Sequence, residues 1–536
     1  MRGSLAAPAA ERMTTGRTLT FGRTAYPLVL PSVRDPRLHV AAVIITVHVL
    51  GQLGLDFEVS VPQVLAAILT CALLEVGITF AKSRAFVWPA SAMLTGSGVA
   101  LILRFAGTPA DDPWSFHGWY VFAAIAGLSL LSKYVIRYRG NHVFNPSNIG
   151  LVVAFVLLGS SVVEPLDFWW APLNAWLIAA YAVILVGGLL ITRRLHLLEL
   201  AAAFWLTLAA GLGILSASGH CMTAQWAFAP VCGFDFWQVI VTSPEVLIFL
   251  FFMITDPKTV PAGRVARIAF GILVGVASTL LMAPQTDEFG AKVGLLSGLV
   301  LVSMARPIVE RFLPEARTAG DDIRLFVRQL VGGGGLRRAT RLVAGIASVV
   351  VLGAAVVAAG APARGLVPAG GADVVDGVPP VRPSTLPRIT VRDEVTDWDH
   401  ELAGPELDAI VLTLIENLDL ESQALLRRDP SILAAVDHGD RLAEMEQRLQ
   451  VAAATGRTTI ARYDIDALDV SLINPFGVQS GLSLGFTGTG TVTTETYDAN
   501  GEIVERQSAP FELTFAMRRA TGARWLTVGV LPAEAD

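Results

Sequence analysis

The chain has 536 residues, 53% hydrophobic and 16% charged, with a mean hydropathy of +0.57. Soluble domains carry roughly 25% charged residues, so this composition excludes an ordinary soluble enzyme and points to a membrane protein. The net charge of −6 hides an asymmetry: residues 393–536 hold 25 acidic and 10 basic residues, net −15, whereas the residues before them hold 21 acidic and 30 basic, net +9. A basic membrane part and an acidic soluble tail are two physical objects.

Residues 1–36 are dotted with arginine and lack the apolar stretch of a cleavable signal, so they read as a mostly irregular cytoplasmic arm. Eleven segments of about 20 mostly apolar residues follow, each long enough for a ~30 Å hydrocarbon core. They lie near 37–55, 61–81, 86–106, 116–136, 144–163, 172–192, 196–216, 236–255, 263–283, 289–306 and 340–361. Alternate loops carry opposite charge. Lys82 and Arg84, Lys133 to Arg139, Arg193 and Arg194, Lys258 to Arg267, and the run from Arg306 to Arg341 form one set. Asp56 and Glu58, Asp111 and Asp112, Glu164 and Asp167, Asp235, and Asp287 with Glu288 form the other. Positive loops stay inside, so the N-terminus is expected in the cytoplasm and the acidic tail outside a bacterial-type plasma membrane.

The first ten segments, 37–306, form a membrane domain with short connections. Five crossings in each half make any internal repeat an inverted one, and such repeats build midplane sites from interrupted helices. "WPASAMLTGSGVALIL" in the third segment and "TSPEVLIFLFFMITDPKT" in the eighth each begin near a proline and carry Ser or Thr groups. Residues 307–339 are a cytoplasmic linker containing the amphipathic stretch "DDIRLFVRQL". The eleventh segment, 340–361, has no strongly polar group within the span and reads as a tether. Residues 362–392 form an external Pro/Gly/Ala-rich linker.

The tail, 393–536, reads as a separate α+β domain. "PELDAIVLTLIENLDLESQALLRRD" and "RLAEMEQRLQVAAAT" have helical apolar spacing, and four later stretches alternate like antiparallel strands, with Asn500-Gly501 as a hairpin turn. Helices followed by long strands resemble the cone-shaped nuclear-transport-factor-2-like (NTF2-like) fold, which hosts both binders and enzymes. A protein or small ligand for this domain is therefore open. Asp464, Asp466 and Asp469 read as solvated strand-edge or turn residues rather than ligands.

Several membrane residues stand out chemically. Asn145 and Pro146 make a helix start, the amide as cap and the proline where no N–H is needed; Asn148, one turn in, is not explained by the cap. Asp256-Pro257 ends the eighth segment on the same side, with Lys258, Arg264 and Arg267 after it; this is either a capped loop or an anion-binding rim. Glu75 and Glu245 are carboxylates within spans, candidates for an ion path, although Glu245 near its span's end also suits a cap or a snorkelling side chain. Cys71 reads as a small buried apolar residue. Cys221 and Cys232 share an external loop whose ten intervening residues allow a disulfide, an unpaired pair of thiols or a redox pair.

"SAMLTGSGVALIL", "NHVFNPSNIGLVVAF" and "EVLIFLFFMITDPKTVPAGR" together resemble a membrane redox family. It contains the B subunit of the sodium-pumping NADH:quinone reductase, the D subunit of the Rnf complex and stand-alone relatives associated with enediyne biosynthesis. The resemblance covers about residues 35–310 and implies a ten-span, urea-channel-like inverted repeat, flavin binding and electron transfer. The family's covalent FMN sits on the Thr of a Ser-Gly-Ala-Thr-like segment, which this chain lacks, so a non-covalent FMN or riboflavin is expected. The contacts implied are Thr95, Asn145, Ser147, Asn148, Thr255, Asp256 and Lys258. No iron–sulfur pattern, P-loop or dinucleotide fingerprint is present, so electrons would come from a partner protein or subunit rather than from bound NADH. Nucleic acid is not an expected partner. Two other readings stay open: a flavin-free channel or transporter of small solutes, and an anchor presenting the tail.

Overall fold

The computed structural model describes residues 13–21, 23–55, 57–109, 112–166, 175–224, 227, 230–316, 318–331, 336–366, 378–381, 383, 385–398, 402, 404–473, 482–519 and 524–532. The chain is mostly helical, with a strand-rich C-terminal region. It divides into two compact units. One is Met1–His220, Gly233–Gln285 and Phe289–Pro362; the other is Cys221–Cys232, Thr286–Glu288 and Ala363–Asp536.

The first unit opens on a hairpin of β1 (Met13–Phe21) and β2 (Thr24–Pro31), with β2 parallel to β3 (Phe86–Val87). The arm expected to be irregular is therefore paired strand over these residues. Threonines at 14, 15, 18, 20 and 24 favour the extended backbone, a signal outweighed at the sequence level by the arginines. Polar residues before proline then start the helices. Asp35 accepts from the Arg37 N–H at 3.0 Å and opens α1 (Pro36–Gly54). Ser60 and Gln63 form a reciprocal capping box on α2 (Val61–Ser83). After α3 (Ala90–Ile102), β4 (Leu103–Phe105), α4 (Trp119–Val135), β5 (Arg137–Tyr138) and β6 (Asn141–His142), Asn145 caps α5 (Pro146–Leu158), which leads to β7 (Val163–Pro165). Then come α6 (Ala175–Arg194), α7 (Leu198–Ala217), α8 (Gly233–Thr242) and α9 (Pro244–Ile248). Ser243 caps α9, which runs on as a π-helical turn over Phe249–Met253. The unit ends with α10 (Arg264–Met282), α11 (Glu288–Val309), α12 (Ile323–Val331) and α13 (Leu336–Ala359).

Seven helical stretches among the described residues are long and apolar enough to cross a membrane: Pro36–Gly54, Val61–Ser83, Ala175–Arg194, Leu198–Ala217, Gly233–Met253, Arg264–Met282 and Glu288–Phe312. Shorter apolar helices occupy Ala90–Ile102, Trp119–Val135, Pro146–Leu158 and Val343–Ala359. Two of these, α3 and α5, have 13 residues each and rise about 20 Å. Their segments continue as extended backbone, β4 pairing antiparallel with β7. Arg104 on β4 faces Glu164 on β7 at 3.5 Å and also pairs with Glu58, satisfying the charges there. Close helix contact rests on small residues. A Cβ at Gly96 of α3 would lie 2.5 Å from the Ala67 carbonyl oxygen of α2, so only glycine lets these backbones meet.

In the second unit, β8 (Cys221–Met222) pairs with β9 (Val231–Cys232), and Cys221 is disulfide-bonded to Cys232. Its sheet has the order β10 (Arg388–Val391), β11 (Thr458–Ile473), β12 (Ser483–Tyr497), β13 (Ile503–Arg519) and β14 (Trp525–Pro532), antiparallel except for β10 beside β11. The four long strands lie where alternation placed them, and Gly501 turns the β12–β13 hairpin at φ +83°. Strand β10 precedes residue 393 and carries the domain into what read as linker. Helices α14 (Asp393–Trp398), α15 (Pro405–Arg427), α16 (Pro430–Val436) and α17 (Gly439–Thr455) complete the unit. The apolar stripe of α15 (Leu407, Ile410, Val411, Leu414) packs on Leu468, Phe486 and Phe515 of the sheet.

Candidate functional site

The first unit contains a cavity of about 590 Å³ built where several helix starts and one helix end converge. The start of α1 contributes Arg37, α3 contributes Ser91 and Thr95, the start of α5 contributes Asn145 and Ser147, and the segment after the π turn contributes Thr255, Asp256 and Lys258. Apolar walls come from Ile44, Leu101, Ile102, Ile248, Phe251 and Phe252. Volume and character match a pocket for a small organic ligand: largely apolar, with a few polar groups at fixed positions.

Six of the seven contacts singled out from sequence line this one cavity: Thr95, Asn145, Ser147, Thr255, Asp256 and Lys258. Asn145 is fixed on three sides. Its Oδ1 accepts from Ser147 Oγ at 2.8 Å and from the Asn148 N–H at 3.3 Å, and its Nδ2 donates to the Met253 carbonyl at 3.2 Å. A planar amide has a second N–H, which remains for a ligand. Thr95 and Thr255 donate their hydroxyls back to the carbonyls of Ser91 and Phe251, leaving acceptor lone pairs. Asn148 is different. It is 1% exposed and does not line the cavity; its Nδ2 donates to the Leu296 carbonyl of α11 at 3.0 Å. The residue that capping left unexplained ties α5 to α11.

Charge at the cavity is organised in pairs. His142 Nε2 lies 3.1 Å from Asp256 Oδ2, Arg37 Nε 3.0 Å from Asp35 Oδ1, and the Asp256 Oδ1 accepts from the Lys258 backbone N–H at 3.1 Å. Partial desolvation, with repulsion from Lys133 and Arg37, holds the Lys258 ammonium below the ordinary lysine range. Behind Ser91, Lys133 donates to that hydroxyl at 3.4 Å and to Glu75 at 3.2 Å, while Tyr134 donates to the same carboxylate. Glu75 is thus part of a closed polar cluster one side chain away from the cavity.

A second, water-sized space of about 30 Å³ lies next to the first, and Ile102 and Ile248 line both. Glu245 and Lys292 border it, 3.4 Å apart, and Lys292 also donates to the Leu166 carbonyl at 3.3 Å. Sequence reasoning named Glu245, read Lys133 only as a topology cation, and passed over Lys292, His142 and Arg37. Lys292 was the legible one, a cation four residues into an apolar helix. His142 lies three residues before Asn145, and only the fold brings it to Asp256.

Among the described residues no group of three His, Cys, Asp or Glu side chains is placed to hold a metal ion. The second unit has its own open cavity of about 690 Å³, bordered by Glu444, Arg448, Arg457, Tyr463, Val492 and Leu513. Comparison with models of known protein families and with curated proteins finds no match for this chain.

Proposed function

We propose that this chain is an integral membrane electron-transfer subunit that holds a flavin, FMN or riboflavin, non-covalently in the 590 Å³ cavity of its first unit. The observation that carries the reading is convergence. Residues 95, 145, 147, 255, 256 and 258, spread over three separate stretches of sequence, border one cavity with aromatic and aliphatic walls. The residues fit such a group. Phe251, Phe252 and Ile44 offer flat apolar surface, and Asn145 and the threonine hydroxyls offer polar contacts at the rim. When bound, the flavin supplies the redox chemistry. The chain's own residues bind and orient it, and the apolar walls exclude water. A partner protein would deliver or remove the electrons.

The finer architecture belongs to the same proposal. A ten-span inverted repeat is supported by helices in each of the ten segments and by short or broken helices at the third, fifth and eighth. An NTF2-like outer domain is supported by helices packed on one long-stranded sheet. Loop charge supports a cytoplasmic N-terminus and an extracytoplasmic tail in a bacterial-type plasma membrane.

Purification in mild detergent, followed by an absorption spectrum and acid precipitation, tests the assignment. A yellow supernatant is expected; a colourless protein overturns it, and colour in the pellet means a covalent site. The adjoining small space favours a second reading, a solute channel, because Ile102 and Ile248 form the partition between the main cavity and the Glu245–Lys292 pair. Solute uptake into liposomes by flavin-free protein, lost in Ile248→Trp, would select that reading.

A further inference from the structure

The linker helix α12 takes no part in the cavity, yet its sequence is sharply sided. At 100° per residue Ile323, Phe326 and Val327 fall on one face, while Arg324 and Arg328, four apart, fall on another. The helix is placed rather than loose. Asp322 Oδ1 accepts from the Leu325 N–H at 3.0 Å and caps it. The preceding Asp321 Oδ1 accepts from the Val265 N–H at 3.0 Å, fastening the start of α12 to the first turn of α10. Arg264 and Arg267 occupy that same turn. The polypeptide on either side is apolar helix, α11 before and α13 after, so α12 is held at the end of the helix bundle.

Packing does not use its sided surface up. Val327 is 49% exposed, and among the described residues Arg324 and Arg328 make no ion pair. In the apolar stretch that precedes it, Glu288–Phe312, Ile308 and Phe312 are 61% and 81% exposed. A short helix with an apolar stripe, two arginines without an ion pair among the described residues and apolar helices on both sides has the chemistry of an interfacial segment.

We propose that α12 lies in the surface of the bilayer that its neighbours cross and binds anionic phospholipid headgroups through Arg324 and Arg328. Val327 and Phe312 enter the acyl boundary while the two guanidinium groups meet phosphate. Opposite charge on the lipid, and the continuity of α12 with apolar helices already in that bilayer, favour lipid over a docked protein as the occupant. An arginine near an anionic surface contributes roughly fivefold to the local equilibrium, so the two together contribute about thirtyfold.

Amide hydrogen exchange of the full chain tests this in nanodiscs of phosphatidylcholine alone and of phosphatidylcholine with phosphatidylglycerol. The expected result is slower exchange over residues 323–331 in the anionic discs, by about thirtyfold. The effect should be lost in Arg324→Gln/Arg328→Gln and at high salt, with exchange in α7 unchanged as a control for folding. Equal exchange in the two discs overturns the proposal. So does anionic protection that survives the double substitution, because the lipid would then act elsewhere.

Discussion

The two units solve the burial of charge differently. In the membrane unit three half-buried carboxylates each face a basic side chain, Glu75 with Lys133, Glu245 with Lys292 and Asp256 with His142, while Arg104 pairs with both Glu58 and Glu164. In the tail, Arg441 pairs with two acids, Glu421 and Glu444. It forks onto Glu421, both partners 4% exposed at the side chain, and Asp437, 1% exposed, stands beside them. Burial, with the negative charge of Glu421 next to it, drives the Asp437 carboxyl well above the ordinary aspartate range. Pairing acids with bases limits net charge in hydrocarbon, where it is most costly. In the tail, burial beside Glu421 instead favours the protonated form of one acid, Asp437.

Breaking a membrane pair is the strongest test of that contrast. Lys292→Met leaves Glu245 buried with its facing cation removed, and the loss of one partner of such a pair costs about 3–5 kcal/mol. Detergent-solubilised protein should melt far lower than the parent, and adding Glu245→Leu should restore much of the loss. If the single substitution leaves the melting temperature unchanged, the pair is not buried as described.

Two asparagines carry the comparison to neutral groups. Asn417 in the tail is fully buried; its Nδ2 donates to the Trp525 carbonyl at 3.0 Å and its Oδ1 accepts from Arg524 at 2.6 Å. Because one partner is charged and is itself held below its usual range by burial, Asn417→Leu should cost about 1.5–3 kcal/mol. Chemical denaturation followed through a reporter in the tail measures it, and a cost near zero would mean that Arg524 turns to water.

Asp437 gives a pH-dependent effect with a definite sign. Its folded carboxyl is raised above the unfolded value of 3.8, so its contribution is fully present below that pH. The contribution is lost progressively as pH rises toward the folded value, because the unfolded chain ionises freely and the folded one does not. Asp437→Asn should therefore flatten the decline in tail stability above pH 4 and stabilise the tail at neutral pH. Thermal melts of the second unit's signal at several pH values decide the matter, and a variant that declines as steeply as the parent would place the sensitivity elsewhere.

Much of this architecture was legible because its causes are local. Apolar runs of sufficient length, polar residues before proline and alternation in the tail mark helices, caps and strands without knowledge of neighbours. The candidate cavity was legible for a related reason: its polar residues interrupt apolar segments and so stand out. What escaped is what depends on packing across the chain. Lys133 read as a topology cation, and only the fold turns it onto Glu75 and Ser91. The hairpin of residues 13–31 was hidden by its arginines, and Arg37 by its place at a span's edge.

Asn148 shows the limit most clearly and carries the smallest effect. From sequence, a second amide one turn into a helix suggested a ligand contact; in the fold it reaches the Leu296 carbonyl across to α11. Interhelical hydrogen bonds inside membranes average about 0.6 kcal/mol, because the separated helices find other partners in lipid. Asn148→Leu should therefore lower thermal stability in detergent slightly, much less than Asn417→Leu, and leave affinity for the proposed flavin intact. Asn145→Leu should weaken binding of the proposed flavin as well, since that side chain borders the cavity and holds Met253 beside it. If Asn148→Leu strips the flavin while Asn145→Leu does not, the ligand lies on the other side of α5 from the cavity described, and Asn148 is a contact rather than a tie between helices.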